Sequence, residues 1–340
     1  MNQFTRLSPT ERRDYFEAAA ASLGNMSAEI MQKDFWVCWT LKHLFDLDGI
    51  GAHLTFKGGT SLSKVYGIIK RFSEDIDVAI ERDYLGFGDA KGPEHATGTK
   101  DRERRLQGLK AKCQDVVKVQ ILTALSERCK SYLGTDGWSL ALDPADSDQQ
   151  TILFTFPNAI ITGLQGYVRP IVKIELGARS DHWPLQQATV QPYLCDALPD
   201  ALASPSTQVR VLAAERTFWE KATILHMLHH WPSAKAFPTR MSRHYYDLFM
   251  LLESPVKELA LINEALLIRV AEHKSVFFRA ASAKYEEARR GTLRLAPPDL
   301  RQVDLKADFA AMSSMFFDDV PKFDAITAAI ATFENGFNGG

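Results

Sequence analysis

"FKGGTSLSKVYGIIKRFSEDIDVAI", residues 56–80, is the stretch on which the fold turns. A short strand, "HLTFKGG" (53–59), closes on Lys57, Gly58, Gly59, Thr60 and Ser61. A helical crossover, "TSLSKVYGIIK", then leads to a second strand, "DIDVAI" (75–80). Asp75 and Asp77 are two apart, so on a strand both leave one face, while Ile76, Val78 and Ile80 take the other. Carboxylates that close repel unless a cation lies between them. Oxygen donors of this kind suit Mg²⁺ or Mn²⁺, with substrate phosphates completing the shell. The glycine turn lets a backbone approach a ligand closely, and its amides, with the Thr60 and Ser61 hydroxyls, make a cradle for a triphosphate. Neither GxxxxGK[ST] nor a Rossmann fingerprint is present. Alone, Gly-Gly reads as a turn and Asp-x-Asp as a solvated pair. Together in one strand–turn–helix–strand unit they point to phosphate and metal.

The bulk properties allow this chemistry without demanding it. The 340 residues are 46% hydrophobic, ample for a large core in two lobes or one elaborate domain. With 24% charged residues and a formal net charge of -2, no overall field drives the chain onto nucleic acid or membrane. No apolar run approaches the ~20 residues that span a bilayer. The opening "MNQFTRLSPTERRDYFEAAA" has no hydrophobic signal core and reads as a helix, with Ser8 as N-cap, Pro9 in the first turn and Glu11 completing a capping box. Cys38, Cys113, Cys129 and Cys195 are scattered without a CxxC pair, as expected of reduced thiols in a cytoplasmic protein.

Residues 8–48 read as helices, and 101–133 as one long helix whose first half carries Arg102, Arg104, Arg105, Lys110 and Lys112. That basic face either contacts a phosphate backbone or is an ordinary solvated surface. Strands follow in "TILFTFPN" and "YVRPIVKIELGAR". In the latter Val172, Ile174 and Leu176 point one way, Lys173 and Glu175 the other, which makes Glu175 a candidate third carboxylate. From about residue 208 the pattern becomes helical, in "VRVLAAERTFWEKATILHMLHHW", "SRHYYDLFMLLES", "VKELALINEALLIRVAEHKSVFF", "SAKYEEARRG" and two helices beyond Pro297-Pro298. The expected organisation is an α/β lobe over 1–205 with N-terminal helices, and a helical lobe over 206–340 that contributes to the active-site cleft. His226 and His230 are four apart on a helix, but no HExxH accompanies them, so a structural or solvent role is expected.

"KGGTSLSKVYG…RFSEDIDVAI" resembles the AbiEii/MenT-type nucleotidyltransferase toxins, a branch of the DNA polymerase β-like nucleotidyltransferase superfamily. "QKDFWVCWTLKHLF", "ERTFWEKATILH", "RHYYDLFMLL" and "YEEARRGTLRLAPP" extend the likeness over most of the chain. The resemblance implies an α+β fold: a polymerase β-like core, in which a mixed sheet is flanked by helices, followed by a mainly helical C-terminal lobe. It implies transfer of NMP from an NTP to an acceptor with release of pyrophosphate, using Mg²⁺ or Mn²⁺. Asp75, Asp77 and Glu175 would hold metal; Gly58, Gly59, Thr60, Ser61, Lys57 and Arg71 would lie at the nucleotide. Lys221 would bind the triphosphate. Asp247 would orient Lys221, contact the nucleotide or act on the acceptor, and would stand in as base were Glu175 misplaced. The implied partners are the 3′ end of tRNA as acceptor and a cognate antitoxin encoded nearby, in a toxin–antitoxin or phage-defence system.

Two other readings stay open on the sequence. The acceptor could be a protein or small-molecule hydroxyl, or the chain could be a non-catalytic NTP-binding module. Loss of Asp75 or Asp77 would have favoured the last; both are present.

Overall fold

In the computed structural model, which describes residues 1–160 and 169–339, the first helices form where their caps dictate. The Ser8 side chain accepts from the Glu11 amide and the Glu11 carboxylate from the Ser8 amide, so α1 (Pro9–Leu23) opens with a complete capping box. Gly24, at φ +75°, closes it. Ser27 caps α2 (Ala28–Phe45), which is buried along most of its length.

The chain then lays down β1 (Leu54–Lys57), α3 (Gly58–Lys64) and β2 (Asp75–Ile80). α4 (Thr99–Asp115) runs through a wider turn at Val116–Ile121 into α5 (Leu122–Leu133). The remaining strands are β3 (Ser139–Leu142), β4 (Thr151–Thr155), β5 (Ile171–Gly177), β6 (Leu185–Val190) and, beyond the short α6 (Leu194–Ala197), β7 (Thr207–Leu212). They form one seven-stranded mixed sheet in the order β3-β4-β5-β2-β1-β7-β6. β2 runs parallel to β5 and β1 parallel to β7, while β1–β2, β3–β4 and β4–β5 are antiparallel.

One face of the sheet is apolar and fully buried, with Ile76, Val78, Ile80, Ile174 and Phe154 each at 1% exposure or less. α2 packs on the sheet with two indoles: Trp36 stacks on Phe156 at 5.6 Å and Trp39 on Phe154 at 5.7 Å. Large aromatic rings buried in this way dominate a core's energetics.

The contacts divide the chain into two compact units. The first comprises 1–65 and 72–211, the second 66–71 and 212–340. The second unit is built from α7 (Ala214–His229), α8 (Ser242–Leu252), α9 (Val256–Ile262), α10 (Ala265–Phe277), α11 (Gln302–Ala311) and α12 (Phe323–Gly339). The segment 66–71 joins it through an antiparallel bridge between Arg71 and Phe316 and through the Tyr246 hydroxyl, which accepts from the Lys70 amide at 3.2 Å.

The structure departs from the sequence expectation in five places. The connection from β1 to β2 is not a helical crossover: α3 stops at Lys64, and the strands it joins are antiparallel, which needs no crossover. "TQVRVL" is a strand rather than the start of a helix. A short apolar run is ambiguous until a neighbour pairs with it, and here Val211 pairs with Phe56 of β1. The run from Val256 to Phe277 breaks into α9 and α10, and "SAKYEEARRG" forms short tight turns instead of a helix. β3 and β6 were not anticipated; both are short edge strands that lack a full apolar face. Tyr167 and Val168 of the expected strand before Ile171 lie outside the described residues.

Candidate active site

In the first unit, β2 and β5 run parallel with Asp75 opposite Lys173 and Asp77 opposite Glu175; β1 places Lys57 opposite Asp77. Residues opposite one another across a sheet share a face. Lys57, Asp75, Asp77, Lys173 and Glu175 therefore line the face away from Ile76, Val78, Val172 and Ile174. The strand alternation read from the sequence holds on both strands.

The glycine turn is built against this row. Gly58 has φ +80°, a region that L side chains rarely adopt, and a Cβ there would collide with the Asp77 carboxylate. The carboxylate of Asp77 thus lies directly on the backbone of the turn. Thr60 and Ser61 are buried in the first turn of α3, and their hydroxyls are already engaged. Thr60 Oγ1 donates to the Asp75 carbonyl at 2.5 Å and Ser61 Oγ to the Gly58 carbonyl at 2.8 Å. What they contribute is the fixed shape of the turn and its tie to β2, rather than hydroxyls offered outward.

Burial pushes the Asp75 carboxyl up to about 6, and the neighbouring charges of Glu175, Glu74 and Asp77 push the same way. Burial acts in that direction on Glu175 too. There it is outweighed by Lys173, which donates to Glu175 at 2.6 Å, and by Asp77 and Lys57, so Glu175 sits below its ordinary value.

These facts bear on a metal. Among the described residues, no group of three or more His, Cys, Asp or Glu side chains is placed to hold a metal ion, so Asp75, Asp77 and Glu175 do not come together as a three-carboxylate site. Asp75 and Asp77 nevertheless form a half-buried pair of oxygen donors on one strand, and the ionised form of Asp75 is penalised until a cation arrives. That donor set fits Mg²⁺ or Mn²⁺, which is commonly held by one or two carboxylates plus phosphates. Glu175 is in register for a supporting role, but it is already paired with Lys173.

The second unit holds a separate charged cluster. Asp247 on α8 is fully buried and gripped by two cations. Arg71 donates through Nε to Oδ1 at 2.8 Å and through Nη2 to Oδ2 at 2.9 Å; Lys221 on α7 donates to Oδ2 at 2.7 Å. Burial would raise the Asp247 carboxyl, but Arg71 and Lys221 hold it far below the ordinary carboxylate range. A carboxylate so held is a poor proton acceptor, so Asp247 is no substitute for Glu175 as a base; its geometry is that of a residue orienting Lys221. Arg71 is likewise committed to Asp247. His244 Nδ1 lies 3.2 Å from the Lys221 ammonium, and burial followed by the Lys221 charge drives the imidazole well below its ordinary value. It stays neutral and accepts from the lysine. Lys221 itself is lowered by burial, with Asp247 opposing.

The basic face of α4 is only partly offset, by three carboxylates that pair with four of its five cations. Arg104 and Arg105 pair with Asp101 at 2.5 and 2.9 Å, Lys110 with Asp148 at 2.5 Å and Lys112 with Asp115 at 3.2 Å. Of the histidines, His226 accepts the Arg294 amide on Nδ1 and faces the Lys284 carbonyl with Nε2, which is the structural role expected. The four cysteines are buried and unpaired.

Some participants carried no local signal in the sequence. Lys173 alternates with Glu175 on the same face, but that it salts the carboxylate row follows only from register. Asp34 and Lys64, a buried pair at 2.7 Å, had nothing nearby to mark them.

Residues 39–329 match the family described as the nucleotidyl transferase AbiEii toxin of type IV toxin–antitoxin systems. The chain belongs to the AbiEii nucleotidyltransferase toxin family. The resemblance carried by "KGGTSLSKVYG" and "EDIDVAI" therefore holds, and this AbiEii family member is a nucleotidyltransferase of a toxin–antitoxin type, with an NTP substrate and an antitoxin counterpart. Its mixed sheet with flanking helices is the core expected of such an enzyme. Similar solved structures include MenT4, a nucleotidyltransferase toxin from Mycobacterium tuberculosis H37Rv. It is 15% identical, with 95% of this chain and 97% of that chain covered and a TM-score of 0.48. JHP933 from Helicobacter pylori is 12% identical, with 92% and 98% covered and a TM-score of 0.32. No curated protein matches the chain. No helix among the described residues is long and apolar enough to cross a membrane.

Proposed function

We propose that this AbiEii family member transfers a nucleoside monophosphate from an NTP to a hydroxyl acceptor, the 3′ end of a tRNA, with release of pyrophosphate. The observation that carries the reading is the seating of the Asp77 carboxylate on the Gly58 backbone, with Asp75 beside it on β2. It joins an anion-accepting turn to a cation-demanding carboxylate pair within one short unit.

Each group of the chain then has a task. The amides of the turn at Gly58–Ser61 receive phosphate oxygens, and Lys57, in the row with Asp77 and Glu175, adds a positive charge beside them. Asp75 and Asp77 hold the divalent cation, which neutralises phosphate charge when bound. Glu175, kept anionic by Lys173, accepts a hydrogen bond from the acceptor hydroxyl. In the helical unit, Asp247, Arg71 and neutral His244 fix the direction of the Lys221 ammonium, a group whose charge suits phosphate.

The acceptor rests on family resemblance. A protein or small-molecule hydroxyl is the rival outcome. Purified protein is incubated with total tRNA, Mg²⁺ and each α-³²P-labelled NTP in turn, beside an Asp75→Ala, Asp77→Ala double variant. Label on RNA with one NTP, absent in the variant, supports the proposal. Label on protein alone moves the acceptor to a protein hydroxyl. No label on any acceptor, with NTP still bound, makes the chain a binding module.

A further inference from the structure

Lys33 and Asp34 are consecutive residues of α2, opposite in charge and buried, at 3% and 1% exposure. Their partners lie on two different segments. The Lys33 ammonium pairs with Glu74, the residue immediately before Asp75. Asp34 Oδ1 pairs at 2.7 Å with Lys64, the last residue of α3, and the side chains of both are almost wholly buried. Asp34 Oδ2 accepts the Tyr193 amide at 2.6 Å, the Lys64 ammonium lies 3.3 Å from the centre of the Tyr193 ring, and the Tyr193 hydroxyl is hydrogen-bonded to Ser63 at 2.8 Å.

We propose that the Lys33–Asp34 dipeptide is a clamp that sets the spacing between the Gly58–Gly59 turn and Asp75, so that Lys33 and Asp34 are positioning residues for nucleotide binding. Successive residues of an α-helix point about 100° apart, so two neighbours on α2 can hold two separate segments at once. One jaw fixes α3 at its end. Because α3 is a single stiff element of seven residues, fixing Lys64 fixes the glycines at its start. The other jaw fixes the entry to β2 at Glu74. The Thr60 hydroxyl, donating to the Asp75 carbonyl, closes the loop between the two.

Charge suits this task better than apolar contact. A buried ion pair adds little net stability over a hydrophobic pair of equal volume, but it tolerates few geometries. A displacement near 1 Å at such a site costs up to about a hundredfold in rate.

The inference rests on the nucleotidyl-transfer reading, and its test separates the two. Asp34→Asn, Lys64→Met, the double variant and Lys33→Met are compared with the wild type by thermal unfolding. KM and kcat for the NTP are then measured, with equilibrium binding of a fluorescent NTP analogue in the presence of Mg²⁺. Each single variant is expected to melt earlier and to raise KM and the analogue's Kd roughly tenfold, with kcat changed less. The double variant, free of an uncompensated buried charge, regains much of the melting temperature while KM and Kd stay raised. A double variant whose KM and Kd return to wild-type values overturns the clamp, as do single variants that melt early and bind the analogue normally. Absence of nucleotide transfer by the wild type counts against the functional reading instead, and the binding measurement still decides the clamp.

Discussion

Arg71 and Asp247 form a buried two-point pair, with Nε on Oδ1 at 2.8 Å and Nη2 on Oδ2 at 2.9 Å, across 176 residues of sequence. Lys221 completes the cluster on Oδ2. Two cations share one carboxylate that has no access to water, so the carboxylate is the piece whose loss is most damaging.

Replacing Asp247 by Asn removes the carboxylate that the buried Arg71 and Lys221 share. Breaking a buried pair in this way costs about 3–5 kcal/mol. Urea unfolding of Asp247→Asn should show a loss of this order, together with loss of transfer activity. A variant of near wild-type stability would mean that the cluster is not the anchor described.

The same residue sets an acid limit. The folded-state carboxyl of Asp247 lies below its unfolded value, so its contribution is fully present above about pH 4 and fades as the pH falls through the lower folded value. Stability curves of wild type and Asp247→Asn should therefore converge toward low pH. A gap that persists undiminished at pH 2 would contradict the assignment.

Asp75 behaves in the opposite sense. Its folded-state value, about 6, lies above the unfolded one, so the favourable contribution is present below about pH 4 and is lost as the pH rises through 6. With divalent ions chelated, Asp75→Asn should be more stable than wild type at pH 8, by roughly 3 kcal/mol, and equal to it near pH 4. Mg²⁺ should stabilise the wild type at pH 8 and leave the inactive variant unmoved. Equal responses of both proteins to Mg²⁺ would remove Asp75 from the ligand set.

Gly58→Ala tests the close approach. A side chain at φ +80° is strained, and its Cβ would displace the Asp77 carboxylate, for a combined cost of about 1–3 kcal/mol. The informative result is a rise in KM for the NTP that exceeds any effect of Gly67→Ala. Gly67 also has positive φ, but a Cβ there meets nothing within 4 Å. Equal effects of the two substitutions would reduce Gly58 to backbone strain alone.

Much of the site could be read locally because its periodicity is local. Asp75 and Asp77 had to share a face once the stretch was a strand, and Ile76 and Val78 had to oppose them. The capping box at Ser8 and Glu11 was equally certain, since both partners lie within one turn. Where the reading failed, a distant segment made the decision. "TQVRVL" became a strand because β1 pairs with it.

The sequence by itself determined the glycine turn and the carboxylate pair, which depend on residues within a few positions of one another, and the family, which shows in motifs spread along the chain. Tertiary structure alone decided that Glu175 stands beside Asp77, that Asp247 is held between Arg71 and Lys221, and that Lys64 answers to Asp34. The physical reason is that an ionisable group takes its character from burial and from the charges around it. For these residues the decisive charge or pairing partner comes from a part of the chain that local pattern cannot bring near.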